Sequence, residues 1–450
     1  FDAALTIPAA QPIRTLGGYP SNSGTPARLY VNSDYSIRVM NKNGSTVYSA
    51  PTATERYGNI ISASDIEFTG FNGSVGTVQN LADDDGSDWI GFKQSGASSV
   101  AVSAQDKMRQ IVSVKDFGAV GDGVQDDKPA IQLAIDYLTA NNGASLYFPD
   151  GIYYLGTPVE INFDAQNTMR LHGSSTSNYF GFDTGGARIT GAVGMESMFI
   201  LTKTNLATAG GYGFECDHIF FKSESLGTAG PLTAIKNKIG GAPARPFVIA
   251  NCGFIGFDKA VVSAIPAGGG TTTGICQVTI RESTFVACNY ALYGSGNIGS
   301  IMDLLFVGNA SENGGKIYID QLGGTCNISD NLLEGQADAI YITAGLASIS
   351  IKRNYFEANS GYIMRAYATN PASSVIEEEN YITNCAGAKV LFRNMRIRSL
   401  TDWKSKSILF DAPSGSASST FNNQGIVAPN VWNNYNYRFD LGSISKQTSV

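Results

Sequence analysis

Glu334 follows Leu332 and Leu333 in "DNLLEGQADA", and Glu357 follows Tyr355 and Phe356 in "KRNYFEANSG". Two acids at the same place behind core-type residues are the raw material of carboxylate chemistry. Glycosidic-bond hydrolysis needs one carboxyl kept protonated beside another that is ionised. Like charges brought together raise each other's pKa. At a wet surface two charges roughly 5 Å apart repel by only about 0.8 kcal/mol, which a solvated row of acids tolerates. In a groove the effect grows. Whether the pair meets a sugar or only water depends on the element that holds it.

That element is a repeat. From residue 247 onward the sequence aligns on one apolar position: Phe254, Phe285, Phe306, Leu333, Phe356 and Ile382. The spacing suits one coil of a parallel β-helix, whose strands stack about 4.8 Å apart. One place later come Ile255, Val286, Val307, Glu334, Glu357 and Thr383, so the two glutamates become neighbours in one column. Three places earlier come Asn251, Glu282, Asp303, Asp330, Arg353 and Glu379. Two places earlier come Cys252, Ser283, Leu304, Asn331, Asn354 and Asn380, a column read as structural. Asparagine tolerates left-handed backbone at a sharp bend, and stacked amides bond from coil to coil.

The alignment makes Glu334, Glu357, Asp330 and Asp303 the candidate catalytic acids. Glu282, Arg353, Tyr355, Tyr381 and Trp403 are the candidate substrate contacts. Carboxyls about 5 Å apart suit retention of configuration and about 6.5–9.5 Å suits inversion. Neighbouring coils provide the first spacing; side chains leaning apart, or a skipped coil, provide the second. The plain alternative is a solvated row of acids with tyrosines packed beside it.

Other groupings are poorer in chemistry. "EEE" (Glu377 to Glu379) reads as an exposed strand edge, and Arg393, Arg396 and Arg398 as partners for acids of a neighbouring chain, with an acidic sugar as the second reading. Glu215, Asp217 and His218 in "ECDHIFFKSE" make a poor metal signal, and His172 is the only other histidine. No metal and no cofactor is expected. The GDG loop (Gly121 to Gly123) lacks the Lys-Ser/Thr of a phosphate cradle. Six cysteines without a CxxC pair read as buried free thiols in a protein assembled in a reducing cell.

A net charge of -7 argues against nucleic acid as a partner, and no apolar run reaches the roughly 20 residues of a membrane span. The composition, with 51 glycines and 43% hydrophobic residues, points to a turn-rich all-β chain with a large core. "NKNG" reads as a hairpin turn within a separate N-terminal β-domain. In "VSVKDFGAVGDGVQDDKPAIQLAIDYL" three glycines form a tight loop, Asp126 or Asp127 caps a helix, and Ile131, Ile135 and Leu138 give it one apolar face.

That segment, followed by "LYFPDGIYYL", resembles the entry of pectate-lyase-like right-handed parallel β-helices, above all those of bacteriophage tailspikes and capsule depolymerases. The resemblance implies a virion-attachment β-domain and linker over 1–110, a β-helix over 111–400 and a closing or trimerisation segment over 401–450. It also implies a homotrimer on the phage tail, assembled in the host cytoplasm and joined to other tail or baseplate proteins through its N-terminal domain. The expected partner is a host capsule or O-antigen polysaccharide, cleaved by hydrolysis. The alternatives are a lyase, with Arg353 or a tyrosine as base, and a non-enzymatic structural or receptor-binding tail protein.

Overall fold

The structure is a computed structural model. It describes residues 37–50 and 63–399, apart from 142–143, 165–167, 175–184, 204–211, 224–231, 240–243, 265–274, 296–300, 371, 386–388 and 394. The short strands at 15–16, 19–22, 25–26, 407–411 and 438–440 are described besides. The chain forms two compact units, Phe1–Gln110 and Ile111–Val450.

The first unit is built from antiparallel hairpins. Ile37–Met40 pairs with Thr46–Ala50, Glu67–Thr69 with Val75–Thr77 and Gly91–Lys93 with Ala101–Ser103. The first hairpin turns at "NKNG", where Gly44 takes φ +82° and the Asn41 side chain accepts from the Asn43 and Ser45 amides.

In the second unit all strand pairing is parallel among the described residues, in one sheet of 20 strands and one of 10. Each coil runs along the large sheet, turns onto a short strand, turns again and returns to the large sheet. Ile301–Val307, Ala310–Glu312 and Lys316–Ser329 make one such passage. This is a parallel β-helix, and the chirality of parallel crossovers makes it right-handed. The strands Ser407–Asp411 and Arg438–Asp440 continue the large sheet beyond residue 400. Among the described residues no helix is long and apolar enough to cross a membrane.

The coil interior is closely packed and rich in aromatic rings. Each short strand points its middle residue inward, so Phe221, Phe254 and Phe285 stack at 5.1 and 5.0 Å. Each fully buried phenylalanine is worth about 2–3 kcal/mol of transfer from water. At the open end the helix Lys128–Ala140 closes the core with Ile131, Ile135 and Leu138. Its N-cap residue Asp127 does not cap it through its side chain. That buried carboxylate instead accepts from the Val120 and Gly121 amides at 2.6 and 3.1 Å, fixing the glycine loop. The neighbouring Asp126 accepts from the amides of Lys128 and Gly156, and its own strand, Asp122–Asp126, stands where the sequence reads as loop.

Three sequence expectations change. Phe306 is not a short-strand core residue: it pairs with Ile280 and Ile328 in the large sheet. The place aligned with Phe285 belongs to buried Ser311. Phe306 reaches in from the next sheet, its ring 6.1 Å from Phe285, and so supplies the volume that serine lacks.

The asparagines, secondly, are not the left-handed residues. The residue before each one is: Asp330, Arg353 and Glu379 take φ of +60°, +51° and +56°. The asparagine side chains turn inward and link the coils. The Asn331 and Asn354 amides donate from both backbone and side chain to the side-chain oxygen of the next asparagine at 2.9–3.2 Å, ending at Asn380. Asn309 belongs to this ladder, where the alignment had Leu304.

Lastly, "EEE" is not a uniformly exposed edge. Glu377 is fully buried and bonded to Asn380, and Glu378 pairs with Lys352. The five described cysteine side chains, Cys216, Cys252, Cys288, Cys326 and Cys385, are free and buried.

Candidate functional site

The outward face of the short-strand sheet carries the acid column. Leu332–Glu334 and Tyr355–Glu357 pair in parallel with Glu334 opposite Glu357, and Glu357 stands opposite Thr383 on the following strand. Both glutamates are half-buried. Burial, and then the charges of Glu357 and Glu312, push the Glu334 carboxyl above its ordinary range. Glu357 accepts from the Tyr355 hydroxyl and from Asn384 Nδ2 at 3.3 Å. The pair thus holds one carboxyl shifted upward and one that accepts from two donors.

Glu312 was missing from the sequence alignment because Phe306 displaced it. It lies one place beyond the paired Ser311 and Leu333. The column therefore runs Glu312, Glu334, Glu357.

Tyr355 and Tyr381 stack beside the column with centroids 5.1 Å apart. Each covers one face of the other, and Tyr381 is 60% exposed. The exposed aromatic surface of the pair is the outer face of Tyr381, not the space between the two rings.

Asp330 and Arg353 stand at the left-handed turn that leads into these strands. Arg353 forks onto Asp330, Nε to Oδ1 at 2.7 Å and Nη2 to Oδ2 at 2.8 Å. The fork lowers the Asp330 carboxyl and raises the Arg353 guanidinium. Asp330 is thereby an occupied carboxylate at the rim of the column.

Asp303 departs from the expected column. It sits in the large-sheet strand Ile301–Val307 and accepts from the backbone and hydroxyl of Thr325 at 2.9 Å. With Gly308 in the place assigned to it, three successive acids do not form. Glu282 is exposed at an earlier turn and paired with Arg281 at 2.8 Å. Trp403 lies outside the described residues.

A tyrosine row escaped the sequence reading, and the Asp217–His218 grouping, read there as a poor metal signal, gains His172. On the large sheet Tyr293, Tyr318 and Tyr341 stack at 4.9 and 4.7 Å. Lys316 Nζ lies 5.7 Å from the centroids of Tyr318 and Tyr341, and Asp338 holds both Lys316 and Arg365. Burial and neighbouring phenols push Tyr318 up to about 12, so its hydroxyl stays a donor. In earlier coils His172 and Asp217 are register partners, and His218 completes a group whose ligand atoms lie within 4.8 Å of one another.

Residues 111–197 match the family model described as "Rhamnogalacturonase A/epimerase, pectate lyase-like". The match covers the opening coils of the second unit. The chain is 28% identical over 145 residues to the "Tail spike protein" of Shigella phage Sf6, covering 32% of this chain and 23% of that protein. It is 54% identical over 43 residues to "Mannuronan C5-epimerase AlgE1" of Azotobacter vinelandii, 10% of this chain and 3% of that protein. The chain thus spans a small part of the curated relatives it matches. Among solved structures, the tailspike protein of Acinetobacter baumannii phage AM24 superposes with a TM-score of 0.41 at 12% identity, covering 86% of this chain and 57% of that one.

Proposed function

We propose that this chain is a phage tailspike that binds a host surface polysaccharide and hydrolyses its glycosidic bonds at the Glu334–Glu357 pair. Register pairing of these two half-buried carboxyls carries the reading. Neighbouring strands lie about 4.8 Å apart, near the roughly 5–5.5 Å of retaining glycosidases. Glu334, with its raised pKa, is the acid that protonates the leaving oxygen, and Glu357 is the nucleophile. Tyr381 provides a stacking face for a sugar. Asp330 and Arg353 stand at the turn that leads into the pair's strands.

The similarity to the Sf6 tail spike protein supports the tail context. In this reading the protein is a homotrimer on the virion tail, folded in the host cytoplasm and attached through its N-terminal unit. A lyase would need a base among the same residues. Arg353 is held charged by Asp330, and burial with the Glu357 charge raises Tyr355. Neither is unprotonated at neutral pH, which favours the carboxylate pair.

The test is incubation of the protein with capsule or O-antigen, scoring new reducing ends and the ultraviolet absorbance of unsaturated uronates. Reducing ends without that absorbance support hydrolysis, and both together support a lyase. Neither signal, with retained glycan binding, supports a receptor-binding protein. Glu334→Gln and Glu357→Gln should each abolish cleavage while leaving trimers intact; full activity in both variants would place the chemistry elsewhere.

A further inference from the structure

The chain has two histidines in 450 residues, and both meet at one carboxylate. His172 Nδ1 lies 2.9 Å and His218 Nδ1 3.0 Å from the same oxygen, Asp217 Oδ2. Arg170 forks onto that carboxylate, Nη2 to Oδ2 at 2.8 Å and Nε to Oδ1 at 3.1 Å. Three donors therefore converge on Oδ2, whereas a carboxylate oxygen offers about two lone pairs. A carboxylate only accepts, so both rings can bond to Oδ2 only in tautomers that carry a proton on Nδ1. The third donor is then surplus.

One cation in place of the two imidazole protons removes the surplus. Each ring, in its other neutral tautomer, then offers an Nδ1 lone pair, and Oδ2 becomes the third ligand. We propose that His172, Asp217 and His218 form a binding site for a divalent late transition-metal ion of the Zn2+ type, with water as the fourth ligand. Two imidazoles and one carboxylate suit such an ion, while Ca2+ and Mg2+ prefer all-oxygen shells. Arg170, keeping its Nε contact to Oδ1, orients the ligating carboxylate from the outer shell.

The backbone presets the arrangement. His172 and Asp217 lie side by side on Thr168–Gly173 and Tyr212–Asp217. His218 is the left-handed turn residue at φ +56°. Asp217 is sheltered at 13% exposure, and the imidazoles, at 38% and 40%, are open to entering solvent and ions. The site is separate from the glutamate column and does not depend on the function proposed for it.

The test uses the full chain, freed of metal by a chelator and titrated with Zn2+ in a calorimeter. The expected result is one saturable Zn2+ per chain. His172→Gln and His218→Asn should each weaken it at least tenfold, asparagine being chosen because it keeps the left-handed turn. Circular dichroism checks that the variants fold. Because the chain has no other histidine, the ring nitrogen resonances of the wild type report on this site alone. Zn2+ should shift both rings, which serves even where a variant fails to fold. Absence of saturable binding in the wild type, unchanged binding in the double variant, or ring resonances that ignore Zn2+ would each overturn the proposal.

Discussion

Glu334 and Glu357 are register partners on neighbouring short strands, and the Glu312 charge reaches the same column. The chain holds this repulsion in its folded state and loses it on unfolding. Glu334, raised in the fold, favours folding fully below the ordinary glutamate pKa, and that contribution is lost as pH rises through its folded pKa. Glu334→Gln should therefore stabilise the protein at pH 7 by about 0.5 kcal/mol, the scale of a like-charge cross-strand pair. The gain should vanish near pH 4. Melting temperatures of both proteins at the two pH values check this, and an equal gain at both would mean that packing, not charge, is responsible.

The asparagine ladder should be far more sensitive than the acids. Asn354 accepts from Asn331 and donates to Asn380 and to the Ile328 carbonyl, all in the buried interior. Asn354→Ala leaves donors and an acceptor unpaired away from water, at about 1–3 kcal/mol for each unsatisfied group. A loss of about 3 kcal/mol is expected in a urea titration. Ser360, exposed and outside the ladder, serves as the comparison; its replacement by alanine should leave the midpoint nearly unchanged.

The coil was legible where its core residue is large. Phe254, Phe285, Leu333, Phe356 and Ile382 align in the structure as they do in the sequence. It was illegible where Ser311 holds the core position, because a buried serine bonded by Gln336 has no apolar signature. That one slip hid Glu312 and Asn309 and lifted Asp303 into the acid column. The histidine group was half legible, for a different reason. Asp217 and His218 are adjacent in the sequence, but His172 joins them only as a register partner 45 residues earlier, well beyond the spacing of the later coils. The turn residues also misled, since Arg353 and Glu379 carry no sequence mark of a left-handed backbone, whereas the asparagines beside them do.

Asp217 should govern part of the acid stability. Its carboxyl, lowered to about 2, contributes stability that is present above the ordinary aspartate pKa near 3.8 and lost as pH falls toward 2. Arg170 is half-exposed, so solvent screening reduces the value to about 1–2 kcal/mol. With a chelator present, Asp217→Asn should be less stable than wild type by that amount at pH 6, and the gap should close toward pH 2. Denaturation midpoints across this range measure it. A gap that stays constant down to pH 2 would mean that the loss does not come from the carboxylate's charge.

Gly173 is the residue on which the turn at His218 leans. A Cβ there would stand 1.8 Å from the His218 carbonyl oxygen and 2.7 Å from its carbon, both backbone atoms. The left-handed φ of His218 leaves that peptide little room to rotate away. Gly173→Ala should destabilise the second unit by about 3 kcal/mol, at the upper end of overpacking costs. Gly345→Ala is the control, because its added Cβ would meet only the Leu322 carbonyl at an ordinary 3.6 Å. Chemical denaturation of the two variants should separate them clearly. A Gly173→Ala protein as stable as Gly345→Ala would show that the His218 turn can shift as a unit, and with it the carboxylate that both histidines face.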